Sequence, residues 1–237
     1  MNLHFRAALA TDVGLIRAKN EDSAFAGDRL ILVADGMGGM PAGEFASDIV
    51  VRRMSELDGY EGEKPIDALV TAVEEANDEI ATAAEADPER LGMGTTVTAM
   101  LAFEDQIALV HVGDSRAYLL RDGELVQVTA DDTYVQMLVD RGELTRAEAR
   151  NHPQRALVTQ ALQGGPMDPY SAVLLLAAPD RVLICSDGLS DYVDDDDIAA
   201  TLRACPDPQQ AADQLVKLTL AAGAPDNVTA IVADLAD

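Results

Sequence analysis

Tryptophan is absent, aromatic residues make up 4% of the chain, and cysteine occurs twice, as Cys185 and Cys205. A core without large rings must be packed from Val, Leu, Ile, Ala and Met. Two cysteines cannot build a disulfide framework, so a reducing, cytoplasmic setting is the default expectation. Lysine is also scarce: Lys19, Lys64 and Lys217 lie far apart and form no polybasic anchor. No long apolar run exists. The longest stretch without a charge, Leu91 to Phe103, is too short and too rich in Gly and Thr to span a bilayer. Met1 to Ala10 carries Arg6 and lacks the apolar core of a secretion signal. No repeat or low-complexity linker stands out.

What is abundant is acid. Asp and Glu number 42 against 17 Lys and Arg, for a formal net charge of −25. The hydrophobic fraction of 48% is ordinary for a globular chain, so the acid does not signal disorder. A surface this negative repels nucleic acid and anionic membrane. It favours cations, meaning metal ions and basic proteins. The 237 residues fit one large domain or two small ones. No break in composition divides them, so a single domain over 1–237 is expected.

Helical spacing of apolar residues predicts three main helices. Pro41–Leu57 places Phe45, Ile49, Val50 and Met54 on one face, with Pro41 suited to the first turn. Pro65–Ala84 and Asp207–Ala222 repeat the pattern, and shorter helices are expected over 132–140 and 197–204. Between them lie short β-rich runs at 3–10, 22–26, 30–34, 95–103, 107–112, 117–121, 125–129, 172–176, 181–185 and 228–233. Several are apolar throughout, such as Leu30-Ile31-Leu32-Val33-Ala34, which means burial on both faces. Strands follow strands and the two long helices come as a pair, an α+β order. Two facing sheets with helices over both outer faces, a four-layer α-β-β-α sandwich, satisfy that burial. The polar segment 142–160 fits none of this and reads as a mobile surface excursion.

Aspartates stand at the ends of these apolar runs: Val33-Ala34-Asp35-Gly36, Val112-Gly113-Asp114-Ser115, Cys185-Ser186-Asp187-Gly188 and, before its strand, Pro225-Asp226-Asn227-Val228. Glu21-Asp22 opens the second strand. Taken singly, each Asp-Gly is a turn signal, and Asp122-Gly123 reads as a plain hairpin. Taken together, acids at the mouth of a core need neutralising, because a buried carboxylate costs several kcal/mol unless paired. Lys and Arg are too few to pair them all. Divalent metal remains. Oxygen-only ligands disfavour zinc and suit Mg²⁺ or Mn²⁺, and Gly36 has no side chain to keep its carbonyl from a metal.

The motifs Arg17-Ala18-Lys19-Asn20-Glu21-Asp22, Ala34-Asp35-Gly36-Met37-Gly38-Gly39, Gly92-Met93-Gly94-Thr95-Thr96, Val112-Gly113-Asp114-Ser115-Arg116, Cys185-Ser186-Asp187-Gly188-Leu189-Ser190-Asp191 and Pro225-Asp226-Asn227-Val228-Thr229 resemble, in order and over nearly the whole chain, the bacterial branch of the PPM/PP2C family of metal-dependent protein serine/threonine phosphatases. The family fold is the α-β-β-α sandwich. The resemblance implies that Asp35, Asp187 and Asp226, with the Gly36 carbonyl, hold a two-metal catalytic centre. Glu21 and Asp22 would act in or next to its shell through water. Asp114 with Asp187 would hold a third Mn²⁺ or Mg²⁺, and Arg17 would grip the substrate phosphate. A water bridging two metals would attack phosphorus in line, with no phospho-enzyme. Phosphorylated proteins, with Ser/Thr kinases and their targets among them, are the implied partners. Segment 142–160 corresponds to the family's flap. The chain departs from many relatives at Met37 and Met40, where histidines often stand, so no protein general acid is assigned. The alternative reading is an inactive, metal-binding relative that serves as a phosphoprotein-binding regulatory module.

Other candidates read as structural. His111 alternates away from Val110 and Val112 and is expected as a satisfied core histidine; His152 belongs to the flap and His4 to the first strand. Cys185 reads as a buried apolar residue. No Arg lies six residues beyond either cysteine, so neither is a phosphatase nucleophile. Residues 36–43 match neither a P-loop nor a dinucleotide fingerprint. Asp194–Asp197 reads as a helix cap with an acidic first turn rather than a calcium loop.

Overall fold

A computed structural model describes residues 3–38 and 42–236. The chain opens with three strands, β1 (His4–Asp12), β2 (Asp22–Ala26) and β3 (Leu30–Met37), followed by the helices α1 (Ala42–Ser55) and α2 (Pro65–Ala86). Five strands come next: β4 (Gly94–Thr95), β5 (Val97–Phe103), β6 (Gln106–Val112), β7 (Arg116–Arg121) and β8 (Glu124–Gln127). The short helices α3 (Tyr134–Asp140) and α4 (Arg146–Arg150) precede β9 (Tyr170–Leu174) and β10 (Arg181–Cys185). The chain ends through α5 (Asp187–Ser190), α6 (Asp195–Ala204), α7 (Pro208–Ala221) and β11 (Val228–Ala236).

The strands form two antiparallel sheets. One has the order β1-β11-β10-β7-β8, and the other β2-β3-β5-β6-β9, with β4 paired to β3. Alternation explains why the strands read as continuous apolar runs. Ile31, Val33, Met100, Ile107 and Leu109 point between the sheets and meet Phe5, Val182, Ile184 and Ile231. Their neighbours Leu30, Leu32, Val97, Ala99 and Val110 point outward onto Ile49, Val50 and Met54 of α1 and Leu69, Val73 and Ile80 of α2. On the far side Leu183, Cys185, Ala230 and Val232 pack on Ile198, Leu202, Ala211 and Leu215 of α6 and α7. The result is helix, sheet, sheet, helix. Each fully buried Leu, Ile or Val contributes about 1.5–3 kcal/mol of transfer free energy.

Some expectations need correction. Phe45 is not on the buried face of α1: it is 37% exposed, with the Arg90 guanidinium over its ring at 3.9 Å. A cation stacked on an aromatic face gives that ring a partner without burial. The strand expected over 95–103 breaks at Thr96, where Thr95 turns to pair with β3 and Val97 resumes against it. Segment 142–160 carries α4, closed by a capping box in which Thr145 and Glu148 exchange bonds. It is tied back by Tyr134 N–H to Leu157 O (2.9 Å) and Thr159 N–H to Asp132 O (2.7 Å). Pro41 lies outside the described residues. Asp194 caps α6 through the Asp197 N–H, and Asp122-Gly123, both at positive φ, make the β7–β8 hairpin turn.

Candidate metal centre

Antiparallel pairing brings the acids to one edge of the sandwich. Asp22 opens β2 opposite Asp35 near the end of β3, in direct register. Asp114 follows β6, Asp187 follows β10, and Asp226 precedes β11, whose first residues pair with the end of β10. Five strand ends from both sheets therefore deliver carboxylates to the same rim.

Hydrogen bonds stitch the two sheets together there. Asp22 Oδ2 accepts from Ser186 Oγ (2.8 Å) and Thr229 Oγ1 (2.7 Å) of the opposite sheet. Its other oxygen, Oδ1, is buried with no partner among the described residues, and so is Glu21 Oε1. The Asp35 backbone is held from both sides: its N–H donates to Thr96 Oγ1 (3.0 Å), and its carbonyl accepts from Thr95 Oγ1 (2.9 Å) and the Thr96 N–H (2.9 Å). At Gly36 a Cβ would stand 2.4 Å from the Gly43 carbonyl and 2.5 Å from the Glu21 carbonyl, so glycine is required where the chain turns past the acids. Arg17 donates to Asp226 Oδ2 at 2.7 Å and is half exposed at the rim.

The electrostatics show acids short of cations. Burial pushes Asp35 and Asp187 well above the ordinary carboxylate range. The charges of Asp22, Asp187, Asp114 and Asp226 add to the effect at Asp35, and those of Asp114, Asp191, Asp226 and Asp22 at Asp187. Burial raises Asp22 to about 6, against the pull of the Thr229 and Ser186 hydroxyls. Burial, with Asp131 and Asp191 nearby, raises Asp114 to about 7. Glu21 is raised by burial. The hydrogen bond to Asp226 holds the Arg17 guanidinium above its ordinary value.

These donors fit a hard divalent metal. They are all oxygen, two of them are orphaned in the interior, and Gly36 keeps side chains away from the bend. Among the described residues no three acid, histidine or cysteine side chains converge into a ready-made cage. Mg²⁺ and Mn²⁺ keep several waters and so need few direct protein ligands.

Beside Asp114 and Asp187 lies a cavity of about 130 Å³ that also touches Ser190, Asp191 and, from segment 142–160, Arg155. Ser190 Oγ is buried and unpartnered. Arg155 Nε reaches Asp191 Oδ2 at 3.2 Å. Asp191, in the Cys185–Asp191 motif, has no role that its place in the sequence alone assigns. It follows α5 by one residue, and its field on Asp114 and Asp187 places it in the same acid cluster. Arg116, next in sequence to this group, is committed to Asp131 through bonds of 2.6–3.0 Å and does not face the rim as a free cation.

The histidines play structural parts. His111 Nδ1 pairs with Thr98 Oγ1 (2.8 Å) and Nε2 with the Ala130 carbonyl (3.0 Å), the satisfied core arrangement expected. His152 sits 6.5 Å from the Tyr134 ring on the flap. Met37 meets the Gln163 amide at 3.7 Å, and Met40 lies outside the described residues.

The family described as protein phosphatase 2C matches residues 18–220. The chain belongs to the protein phosphatase 2C family. It is 49% identical over its full length to serine/threonine protein phosphatase PstP of Mycobacterium tuberculosis, of which it spans 46%. It is 33% identical to serine/threonine phosphatase stp of Listeria monocytogenes, with 96% of this chain and 95% of that protein covered. The crystal structure of the PstP catalytic domain in complex with two manganese ions superposes with a TM-score of 0.94 at 47% identity, over 99% of this chain and 100% of the other. The protein phosphatase 2C sandwich is thus the fold of this chain, and the acid rim is where its two sheets meet.

Proposed function

We propose that the chain is a metal-dependent phosphatase that hydrolyses phosphoserine and phosphothreonine on proteins, with its centre at the acid rim. The observation that carries this is the set of buried, mutually repelling carboxylates with orphaned oxygens at Glu21 and Asp22, in a chain whose relatives are serine/threonine phosphatases. Asp35, Asp187 and Asp226, with the Gly36 carbonyl, would hold two Mn²⁺ or Mg²⁺ ions. Glu21 and Asp22 would act in or next to their shell through water, and Asp114 with Asp187 would hold a third. When bound, the metal supplies Lewis acidity, drawing charge from phosphoryl oxygens and making water a stronger acid.

The chain's own residues do the rest. Arg17, at the exposed rim, exchanges Asp226 for the incoming phosphate and orients it with a planar fork. Asp22 stays anchored through Oδ2 by Ser186 and Thr229, which leaves Oδ1 without a partner among the described residues. Water adds to phosphorus as the bond to the serine or threonine oxygen breaks, and that oxygen leaves with a proton. No protein group is assigned as its donor.

Phosphoproteins, including Ser/Thr kinases and their targets, are the proposed partners, and the cytoplasm the proposed setting. No helix among the described residues is long and apolar enough to cross a membrane. Hydrolysis of p-nitrophenyl phosphate and of a phosphothreonine peptide with Mn²⁺, with and without EDTA, tests the reading. Metal-dependent turnover supports it. Metal binding without turnover would leave the regulatory-module alternative.

A further inference from the structure

Asn227, in the Pro225-Asp226-Asn227 motif, has no role in the account so far, yet it is buried at 5% exposure and each polar group of its side chain is used. Oδ1 accepts the Glu21 N–H (2.8 Å), and Nδ2 donates to the Val13 carbonyl (3.0 Å) and the Lys19 carbonyl (2.9 Å). One amide thus closes both ends of the loop that carries Arg17. The rest of the loop is held by polar contacts. Its apolar side chains are not inserted in the core: Leu15 is 64% and Ile16 73% exposed. The other ties are also polar: Leu15 N–H to the Ala224 carbonyl (2.8 Å), Gly14 N–H to Asp12 Oδ1 (2.9 Å), Asn20 Nδ2 to Thr11 Oγ1 (2.7 Å) and the exposed pair Lys19 Nζ to Glu44 Oε2 (3.3 Å). The loop also lies hard against the Asp226 segment. A Cβ on Gly14, at φ +74°, would stand 2.1 Å from the Asp226 carbonyl.

We infer that Asn227 is a positioning residue for phosphate recognition: its amide fixes the 13–19 loop so that the Arg17 guanidinium is presented at the rim next to Asp226. This rests on the proposed role of Arg17. Losing the amide leaves two carbonyls and one N–H without partners, and nothing apolar restores the loop. Arg17 then samples many positions, and the phosphate subsite loses its preorganised cation.

The test is a double-mutant cycle read by calorimetric titration of inorganic phosphate into the Mn²⁺-loaded chain, with hydrolysis of p-nitrophenyl phosphate measured separately. N227A and R17A each raise the phosphate Kd about tenfold, and the double variant raises it about tenfold as well, because both remove the same interaction. A purely structural asparagine lowers Tm and gives effects that multiply to about a hundredfold. That result, or an N227A Kd equal to wild type, overturns the inference. N227L provides a second cycle should N227A fold poorly: it keeps the side-chain volume, removes both donors to the loop carbonyls and adds no charge beside Arg17. Phosphate binding with the predicted coupling but no turnover removes the phosphatase reading and leaves this inference standing. Failure of the wild-type chain to bind phosphate overturns both.

Discussion

The molecule contains two kinds of sheltered carboxylate, and they behave oppositely. Asp234 and Asp180 lie away from the rim. Burial pushes each up, and arginine more than compensates: Arg181 and Arg6 hold Asp234 below the ordinary range, and Arg121 with the Ala177 N–H does the same for Asp180. Asp22, Asp35, Asp114 and Asp187 are also sheltered, but their neighbours are mostly other acids, and all are raised. The side chains are chemically the same. The difference is whether the fold supplies the cation. Where it does, the acid belongs to the scaffold; where it does not, the acid belongs to the proposed metal site. The net charge of −25 therefore hides a sharply local deficit.

The largest effect that sharpens this contrast is at Asp187. D187A should lower turnover by about a thousandfold or more, since it removes a group facing both the core centre and the Asp114 cavity. It should not lower the stability of the metal-free chain, because it also removes repulsion. Normal activity in D187A would remove Asp187 from the centre. The mirror experiment is D234A. It strands Arg181, whose side chain is 10% exposed and also serves the carbonyls of Leu202, Cys205 and Pro206. Stability should fall by about 3 kcal/mol in denaturant titration, as for a broken buried pair, with Mn²⁺ affinity unchanged. A stable D234A, or one with altered Mn²⁺ affinity, breaks the contrast.

The pH dependence should differ in the same way. Asp22, Asp35, Asp114 and Asp187 titrate higher folded than unfolded. Their contribution to metal-free stability is therefore complete below the ordinary carboxylate pKa near 4 and is lost as pH rises through the folded values. With Asp22 at about 6 and Asp114 at about 7, the metal-free Tm should fall between pH 5 and 8, and saturating Mn²⁺ should abolish the fall. Asp180 and Asp234 work the other way, losing their stabilisation only as pH drops below 4. A metal-free Tm that is flat from pH 5 to 8 would contradict the raised set. The smallest effect is at Arg17. R17A should raise KM for a phosphopeptide about tenfold while lowering kcat less, as loss of ground-state phosphate binding requires. An unchanged KM gives Arg17 another task.

Much of this could be read from residue order, for physical reasons. Continuous runs such as Leu30–Ala34 imply burial on both faces, and the structure resolves them into alternate residues facing the two cores. Acids at the ends of such runs imply a shared rim, because antiparallel strands return to the same edge. Phe45 was misplaced because helical spacing records which face a residue occupies and not whether a loop cation such as Arg90 will cover it. The break at Thr96 was hidden because its side chain serves Asp35 across the sheet, a tertiary bond with no local signature. Asn227 escaped for the same reason: its partners Val13, Lys19 and Glu21 are more than 200 residues away in sequence.

Asp114, pushed up to about 7, should hold its proton near pH 6.5 until metal replaces it. Mn²⁺ titration at pH 6.5 in buffers of differing ionisation enthalpy counts the protons released per ion bound. Release should be net, because Asp114, pushed up to about 7, gives up its proton on binding, and it should vanish in a D35N/D187N variant that no longer binds tightly. Tight Mn²⁺ binding with no proton release would mean that the acids are already ionised and that the contrast between the two kinds of carboxylate is wrong.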